Sequence, residues 1–409
     1  MTTTVSTAPS GVTAAKGFRA AGVSAGIKAS QGLDLALLVS EAPARAAAVF
    51  TTNRAQAAPV LVSLEHLQRS GGTARAIVVN SGCANACTGD QGLQVARDMA
   101  AETARLVNCP VEHVLVASTG VIGVALPIEN VRRGLPDALR ALAADQGWAA
   151  ARAIMTTDPF PKEASTRVTI GGPGGHVVSI GGMAKGSGMI EPMMATMLAF
   201  VTTDAAVPQP LLDRALREAV DDTFNAITVD GECSTNDCVM LLANGASGVE
   251  IAESDVAAYG AFVSGLRDVC RDLALGIVRG GEGATKLITV HVTQAATRSD
   301  ARKAAKAIAN SPLVKTAIHG GDPNWGRLIA VAGRAGVEFE LSRAAVVIGS
   351  VVLFKDGRPY DEAAPLAAEH LKGKDIEVSV GLGAGHASST VWTCDLSAEY
   401  VRINADYRT

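Results

Sequence analysis

From Lys185 to Phe200 the chain reads Lys-Gly-Ser-Gly-Met-Ile-Glu-Pro-Met-Met-Ala-Thr-Met-Leu-Ala-Phe, a run of small and methionine side chains charged only at Lys185 and Glu191. Such a run offers water no polar face, so it belongs inside the fold, as a buried strand or the start of a buried helix. It also sets one hydroxyl, that of Thr196, near the middle of 409 residues. A threonine hydroxyl is a weak nucleophile unless a base stands beside it, and the nearest base is its own α-amine, freed by a cut in front of it. Two readings therefore compete: a tolerated core threonine, or the nucleophile of a self-cleaving precursor that does acyl chemistry. Ala195 is small enough for the Thr196 hydroxyl to reach the preceding carbonyl and begin an N-to-O acyl shift. Lys185, between Ala184 and the flexible Gly186-Ser187-Gly188, can approach a reacting centre, and Ser118-Thr119-Gly120 can aim a hydroxyl and an N–H at a developing oxyanion.

The length predicts two or three domains or lobes. With 48% hydrophobic and 19% charged residues the chain reads as soluble and globular; with only 4% aromatics its core must be built from Ala, Val, Leu and Ile. The net charge of −4 leaves no electrostatic footprint for nucleic acid or an anionic membrane, so a small-molecule substrate is expected. The polar start lacks the basic and apolar regions of a signal peptide, and no apolar run is long enough to span a bilayer. Seven cysteines, scattered and odd in number, fit reduced cytoplasmic thiols better than a disulfide framework.

Residues 1–15 read as loosely tied. Ala76–Asn80 and His113–Ser118 read as buried strands around a helix over Gln91–Val107, with further helices over Asn130–Gln146 and Ala149–Met155. Gly171-Gly-Pro-Gly-Gly175 predicts a hairpin between Thr166–Ile170 and His176–Ile180. Later, helices are expected over Pro210–Phe224, Ser254–Val278, Asp300–Ile308 and Ser311–His319. Strands are expected over Leu287–Val292, Ala344–Phe354, Asp375–Val380 and Thr390–Asp395.

Several motifs fail on their chemistry. Lys185-Gly-Ser places its lysine wrongly for a phosphate loop, and Ser187 has no glycine two positions before it, as a nucleophile elbow requires. Gly381-Leu-Gly-Ala-Gly385 has no long helix after it and reads as a tight turn rather than a dinucleotide site. The pairs Cys83/Cys87 and Cys233/Cys238 lack the spacing and the histidines that zinc needs. His319 reads as a turn histidine before it reads as a catalytic one.

The Thr196 segment belongs to a longer series of ordered motifs. These are Asn80-Ser-Gly-Cys-Ala-Asn-Ala-Cys-Thr-Gly89, Ala117-Ser-Thr-Gly-Val-Ile-Gly123, Ala153-Ile-Met-Thr-Thr-Asp158 and Gly182-Met-Ala-Lys-Gly-Ser-Gly-Met-Ile190. Ala195-Thr-Met-Leu198, Ser234-Thr-Asn-Asp237, Gly281-Glu-Gly-Ala-Thr-Lys286, Gly320-Gly-Asp-Pro-Asn-Trp-Gly-Arg327 and Tyr400–Thr409 follow. Nearly end to end, the chain resembles the glutamate N-acetyltransferase, or ornithine acetyltransferase, family of arginine biosynthesis.

The resemblance implies a mixed α/β (α+β) fold, a layered sandwich of β-sheets covered by helices, like that of self-cleaving ornithine acetyltransferases and aminopeptidases. It implies cleavage between Ala195 and Thr196 into an α chain (1–195) and a β chain (196–409) that stay associated, with two of each in a heterotetramer. It further implies that Thr196 takes the acetyl group of N-acetylornithine and passes it to glutamate. Thr119 and Gly120 match the oxyanion hole of the family; Thr156, Lys185, Thr196, Glu282, Asn404 and Thr409 match its substrate-binding positions. No metal or other cofactor is implied, and acetyl-CoA stays open as a second acetyl donor. Lys185 suits a substrate carboxylate as a point charge, and Glu282 suits an ammonium or the catalytic amine. An α-amine with a pKa of about 8 can serve as base near neutrality. Cys83, Cys233, Cys238 and Glu191 depart from common family residues without removing a matched catalytic position. A self-processing aminopeptidase-like hydrolase is the nearest alternative, and a non-catalytic ligand-binding protein with Thr196 buried the more distant one.

Overall fold

The computed structural model describes residues 10–172, 174–191 and 197–406. Its larger sheet holds β1 (Phe18–Val23), β2 (Leu35–Phe50), β3 (Thr73–Cys83), β4 (Val114–Val121), β5 (Lys162–Ile170), β6 (His176–Lys185), β7 (Leu198–Thr203) and β8 (Cys238–Ala243). The strand order is β4-β3-β2-β8-β7-β6-β5, with β1 paired to the first half of β2. The β3/β4 and β7/β8 pairs are parallel, and the other neighbours run antiparallel.

The long strand β2 folds this sheet on itself. Leu35–Val39 pair with β1 and β3, Arg45–Phe50 pair with β8, and the register against β3 shifts between Val39 and Ala44. Pro43 falls in that shift, where a missing N–H does not break a ladder. The two halves then face each other: Ile77, Val79, Leu115 and Ala117 share one core with Met183, Phe200, Met240 and Leu242. The outer faces carry helices. Ala76, Val78 and Val114 meet Met99, Val131 and Leu135 of helices Gly89–Val107 and Ile128–Ala141. Ile180, Val201 and Leu241 meet Leu212, Leu216, Phe262 and Leu266 of helices Gln209–Asp221 and Val256–Arg279. Strands buried on both faces show no alternation of apolar and polar residues, which is why they read as continuous apolar runs. Each Leu or Ile buried in these layers contributes about 2 kcal/mol.

A second sheet follows: β9 (Leu287–Ala295), β10 (Ala345–Ile348), β11 (Val351–Lys355), β12 (Arg358–Pro359), β13 (Asp375–Gly381) and β14 (Ala387–Cys394), in order β12-β11-β10-β13-β9-β14. Ile288, Val290, Val346 and Val378 pack there against Ile308, Val314 and Leu328 of helices Arg298–Ala309, Pro312–Gly320 and Trp325–Gly333. The helix pair splits at Asn310-Ser-Pro312, as expected. Ser311 caps the second helix by accepting from the Val314 N–H, and Pro312 occupies its first turn.

The mixed α/β, layered architecture is the expected one, with local corrections. Residues 11–15 are not loose. Gly11–Thr13 form a 3₁₀ turn, Val12 is fully buried, and its carbonyl accepts from Thr202 Oγ1 at 2.8 Å. Gly181 makes this possible, since a Cβ there would lie 1.9 Å from the Gly11 carbonyl oxygen. The helix expected to reach Gln146 stops at Ala141, because Ala143 pairs with Ala20. The strand expected over Ala344–Phe354 is the β10–β11 hairpin, turned by Gly349 at φ +60°. Helices Ala58–Arg69, Trp325–Gly333, Ala364–Leu371 and Ala398–Asp406, and strands β1, β2, β7, β8 and β12, join the expected elements. Ala195 and Thr196 fall in sequence between β6 and β7, which pair with each other. Among the described residues, no helix is long and apolar enough to cross a membrane.

Candidate active site

The folded sheet brings the ends of distant strands together. Parallel β3 and β4 align Ser81 with Thr119 and Gly82 with Gly120 as they leave the sandwich. Gly120 has φ +127°, and a Cβ there would lie 2.4 Å from the Gly82 carbonyl carbon, so only glycine fits. Buried amides fix this corner. Asn80 donates to the Cys83 carbonyl at 2.8 Å and accepts from Ser118 Oγ at 2.6 Å. Asn236 donates to the carbonyls of Ala84 and Ser118 at 2.6 and 2.9 Å.

On the facing layer, β6 ends at Lys185. Its buried ammonium donates to Thr119 Oγ1 at 3.2 Å. Just behind lies Asp158, fully buried, which accepts from Lys162 Nζ at 2.5 Å, the Gly186 N–H at 2.7 Å and the Thr156 N–H at 3.0 Å. Burial alone would raise the Asp158 carboxyl, but the charges of Lys162 and Lys185 and the Gly186 N–H outweigh it and hold it at about 2. A fixed anion thus anchors both the Gly-rich turn after Lys185 and the segment carrying Thr156.

The opposite wall is acidic. Glu282 follows the helix Val256–Arg279, is 5% exposed, and accepts from Thr157 Oγ1 at 2.8 Å and Asn404 Nδ2 at 2.7 Å. Gly188 makes room for it: a Cβ there would fall 2.4 Å from the Glu282 carboxylate. Asn404 belongs to the helix Ala398–Asp406, which so reaches the site. From the same helix Tyr400 donates to Asp230, which also accepts the Met189 and Ile190 N–H groups at 2.7 and 2.8 Å. Burial and the Asp230 carboxylate push the Tyr400 phenol well above its ordinary range.

Thr119, Gly120, Thr156, Lys185, Glu282 and Asn404 therefore line one cleft. Met197 and Leu198, the residues that follow Thr196, line it too. Ala195, Thr196 and Thr409 lie outside the described residues. Thr157, Asp230, Glu232, Asn236 and Tyr400, outside the expected site set, line the cleft as well. Thr157 and Asn236 belong to the motifs Ala153–Asp158 and Ser234–Asp237, but their contacts span more than a hundred residues, so no local pattern announces them. His319 is not among the cleft-lining residues; it pairs with Asp395 at 2.7 Å. Among the described residues no disulfide joins two cysteines, and no group of three His, Cys, Asp or Glu could hold a metal.

Chemically, the cleft offers a lysine for a carboxylate, a shielded carboxylate for an ammonium, and a hydroxyl beside a glycine-only backbone corner. That set suits an amino acid with an acylated amine. The profile of the ArgJ family matches residues 19–409. The arginine biosynthesis bifunctional protein ArgJ of Symbiobacterium thermophilum is 50% identical over 403 residues, covering 98% of each chain. Its namesake in Gloeobacter violaceus is also 50% identical over 403 residues with the same coverage. Among solved structures, the arginine biosynthesis bifunctional protein argJ of Bacillus halodurans matches with a TM-score of 0.50 and 43% identity, covering 52% of this chain and 100% of that one. With a family profile and relatives of this identity matched along nearly its whole length, the chain belongs to the ArgJ family.

Proposed function

We propose that this protein transfers an acetyl group from N2-acetyl-L-ornithine to L-glutamate, in arginine biosynthesis, through an acetyl ester on Thr196. The observation that carries the reading is the convergence of Lys185, Thr119, Gly120, Glu282 and Asn404 in one cleft that the two residues after Thr196 also line. Membership of the ArgJ family, whose members are named for arginine biosynthesis, supports it.

The precursor first cleaves itself. The Thr196 hydroxyl attacks the Ala195 carbonyl carbon, the peptide becomes an ester, and water hydrolyses the ester to an Ala195 carboxylate and a free Thr196 amine. That amine then takes the hydroxyl proton while the oxygen attacks the acetyl carbonyl of N-acetylornithine. Thr119 Oγ1 and the Gly120 N–H stabilise the oxyanion, a term worth roughly 3–4 kcal/mol per donor. The C–N bond breaks, the ornithine amine leaves with the proton, and the acetyl group stays on Thr196. The glutamate α-amine attacks the ester in turn, and N-acetylglutamate leaves with the free hydroxyl restored. Lys185 holds the substrate α-carboxylate, Glu282 with Asn404 meets the amine end, and Thr156 and Thr409 complete the binding set.

The two chains stay together because the strand order β2-β8-β7-β6 interleaves them in one sheet. The same reading carries two α and two β chains per assembly and acetyl-CoA as an optional donor. Seven scattered cysteines, odd in number, fit a reducing compartment, the cytoplasm. The test is a substrate assay with purified protein. Acetyl transfer from N-acetylornithine to glutamate should greatly exceed hydrolysis. Hydrolysis without transfer would instead make the protein an aminopeptidase-like hydrolase.

A further inference from the structure

We propose that Asp395 is a positioning residue for the acetyl transfer. It ties the loop that carries Glu282 to the helix that carries Asn404, and so sets the Glu282 carboxylate where the substrate amine arrives. The inference rests on the transferase reading above.

Asp395 directly follows β14, and its side chain is wholly buried. It accepts four hydrogen bonds: from the Thr285 N–H at 2.8 Å, Thr285 Oγ1 at 2.5 Å, the Lys286 N–H at 2.8 Å and His319 Nδ1 at 2.7 Å. An ionised carboxylate only accepts, so the His319 ring carries its proton on Nδ1. Burial alone would raise the Asp395 carboxyl; the donors from Thr285, His319 and Lys286 outweigh it and hold it below the usual range. Three of the four donors lie within four residues of Glu282 on its own loop. Two residues beyond Asp395, Ser397 Oγ donates to the Gly283 carbonyl at 2.7 Å. Gly283, at φ +69°, lies so close to the helix start that a Cβ would sit 2.6 Å from the Tyr400 nitrogen. The Glu282 loop and the Asn404 helix are thus fastened at their roots, and their tips meet in the Asn404–Glu282 hydrogen bond.

The helix Pro312–Gly320 braces the clamp from behind. His319 reaches Asp395 from its last turn. Lys286 Nζ donates to the Ile318 carbonyl at 2.6 Å and the Leu371 carbonyl at 2.7 Å, and Lys315 Nζ donates to Thr393 Oγ1 at 3.1 Å. This gives His319 a role without any contact with substrate. Asp395 is not among the cleft-lining residues, so whatever it does for the reaction passes through Glu282 and Asn404.

A double-mutant cycle on the cleaved enzyme tests this. Asp395→Asn and Thr285→Val should each raise the KM for N-acetylornithine about tenfold and change kcat far less, because a misplaced carboxylate loses substrate binding. Glu282→Gln should raise KM further, and Asp395→Asn/Glu282→Gln should be no worse than Glu282→Gln alone, since both act through one carboxylate. Thr285→Val keeps the backbone donors and serves if Asp395→Asn does not fold. Multiplying losses in the double variant, or a wild-type KM in both single variants, would overturn the proposal. Calorimetric titration with ornithine runs the same cycle without turnover. A wild type that binds ornithine but passes no acetyl group to glutamate overturns the transferase reading, while the cycle still decides the role of Asp395.

Discussion

The Lys185 ammonium lies 3.2 Å from the Thr119 hydroxyl, although β6 and β4 are separated in the sheet order by β7, β8, β2 and β3. The bend in β2 brings them together by folding the sheet into two facing layers. The contact also sets a cation beside the oxygen proposed to bind the oxyanion.

Thr119→Ala should therefore lower kcat about a hundredfold, the usual loss for one oxyanion donor. The melting temperature should stay near wild type, because Asn80 and Asn236 still hold the backbone. Steady-state kinetics with N-acetylornithine beside a thermal melt check both halves. Gly120→Ala should fail differently, by loss of folded protein, since its Cβ overlaps the Gly82 backbone.

Asn404→Leu removes one donor from Glu282 at an exposed helix position. With the Glu282 carboxylate no longer held from that side, KM for the amino-acid substrate should rise about tenfold. The melt should hardly move. Unchanged KM values would remove Asn404 from the binding set.

Asp158→Asn should destabilise the fold by about 3–5 kcal/mol at pH 7, since it leaves Lys162 buried without its anion. The sign with pH is fixed by the depressed carboxyl. With a folded value of about 2, its stabilisation is complete above the unfolded value and is lost as pH falls from roughly 4 towards 2. Denaturant unfolding of wild type and variant should therefore converge across that window.

Glu163 behaves oppositely. Burial pushes its carboxyl up to about 7, against a bond from Ser10, and its Oε1 has no partner among the described residues. A raised carboxyl stabilises most below its unfolded value, and that contribution is lost as pH climbs through 7. Glu163→Gln should raise the melting temperature more at pH 8 than at pH 5; equal shifts would contradict the assignment.

Much of this fold is legible in the sequence where a local signal exists. The glycine turn at 171–175 announces β5–β6, and the apolar spacing of Val256–Arg279 announces its helix. β7 and β8 lack such signals, because strands buried on both faces carry no alternation, and Pro43 hides the continuity of β2. The site divides the same way. Lys185 and Thr119 stand in motifs that are conspicuous alone, whereas Glu282 and Asn404 entered only through the family resemblance. Thr157, Asn236 and Asp395 act through partners more than a hundred positions away, a distance only the folded chain closes.

Thr196 is proposed as both cleavage point and nucleophile. Mass spectrometry of the denatured protein, paired with a transfer assay on the same sample, tests it most directly. The wild type should give two chains, the second beginning at Thr196, and Thr196→Ala a single uncut chain without transferase activity. An intact chain of 409 residues with full activity would contradict it.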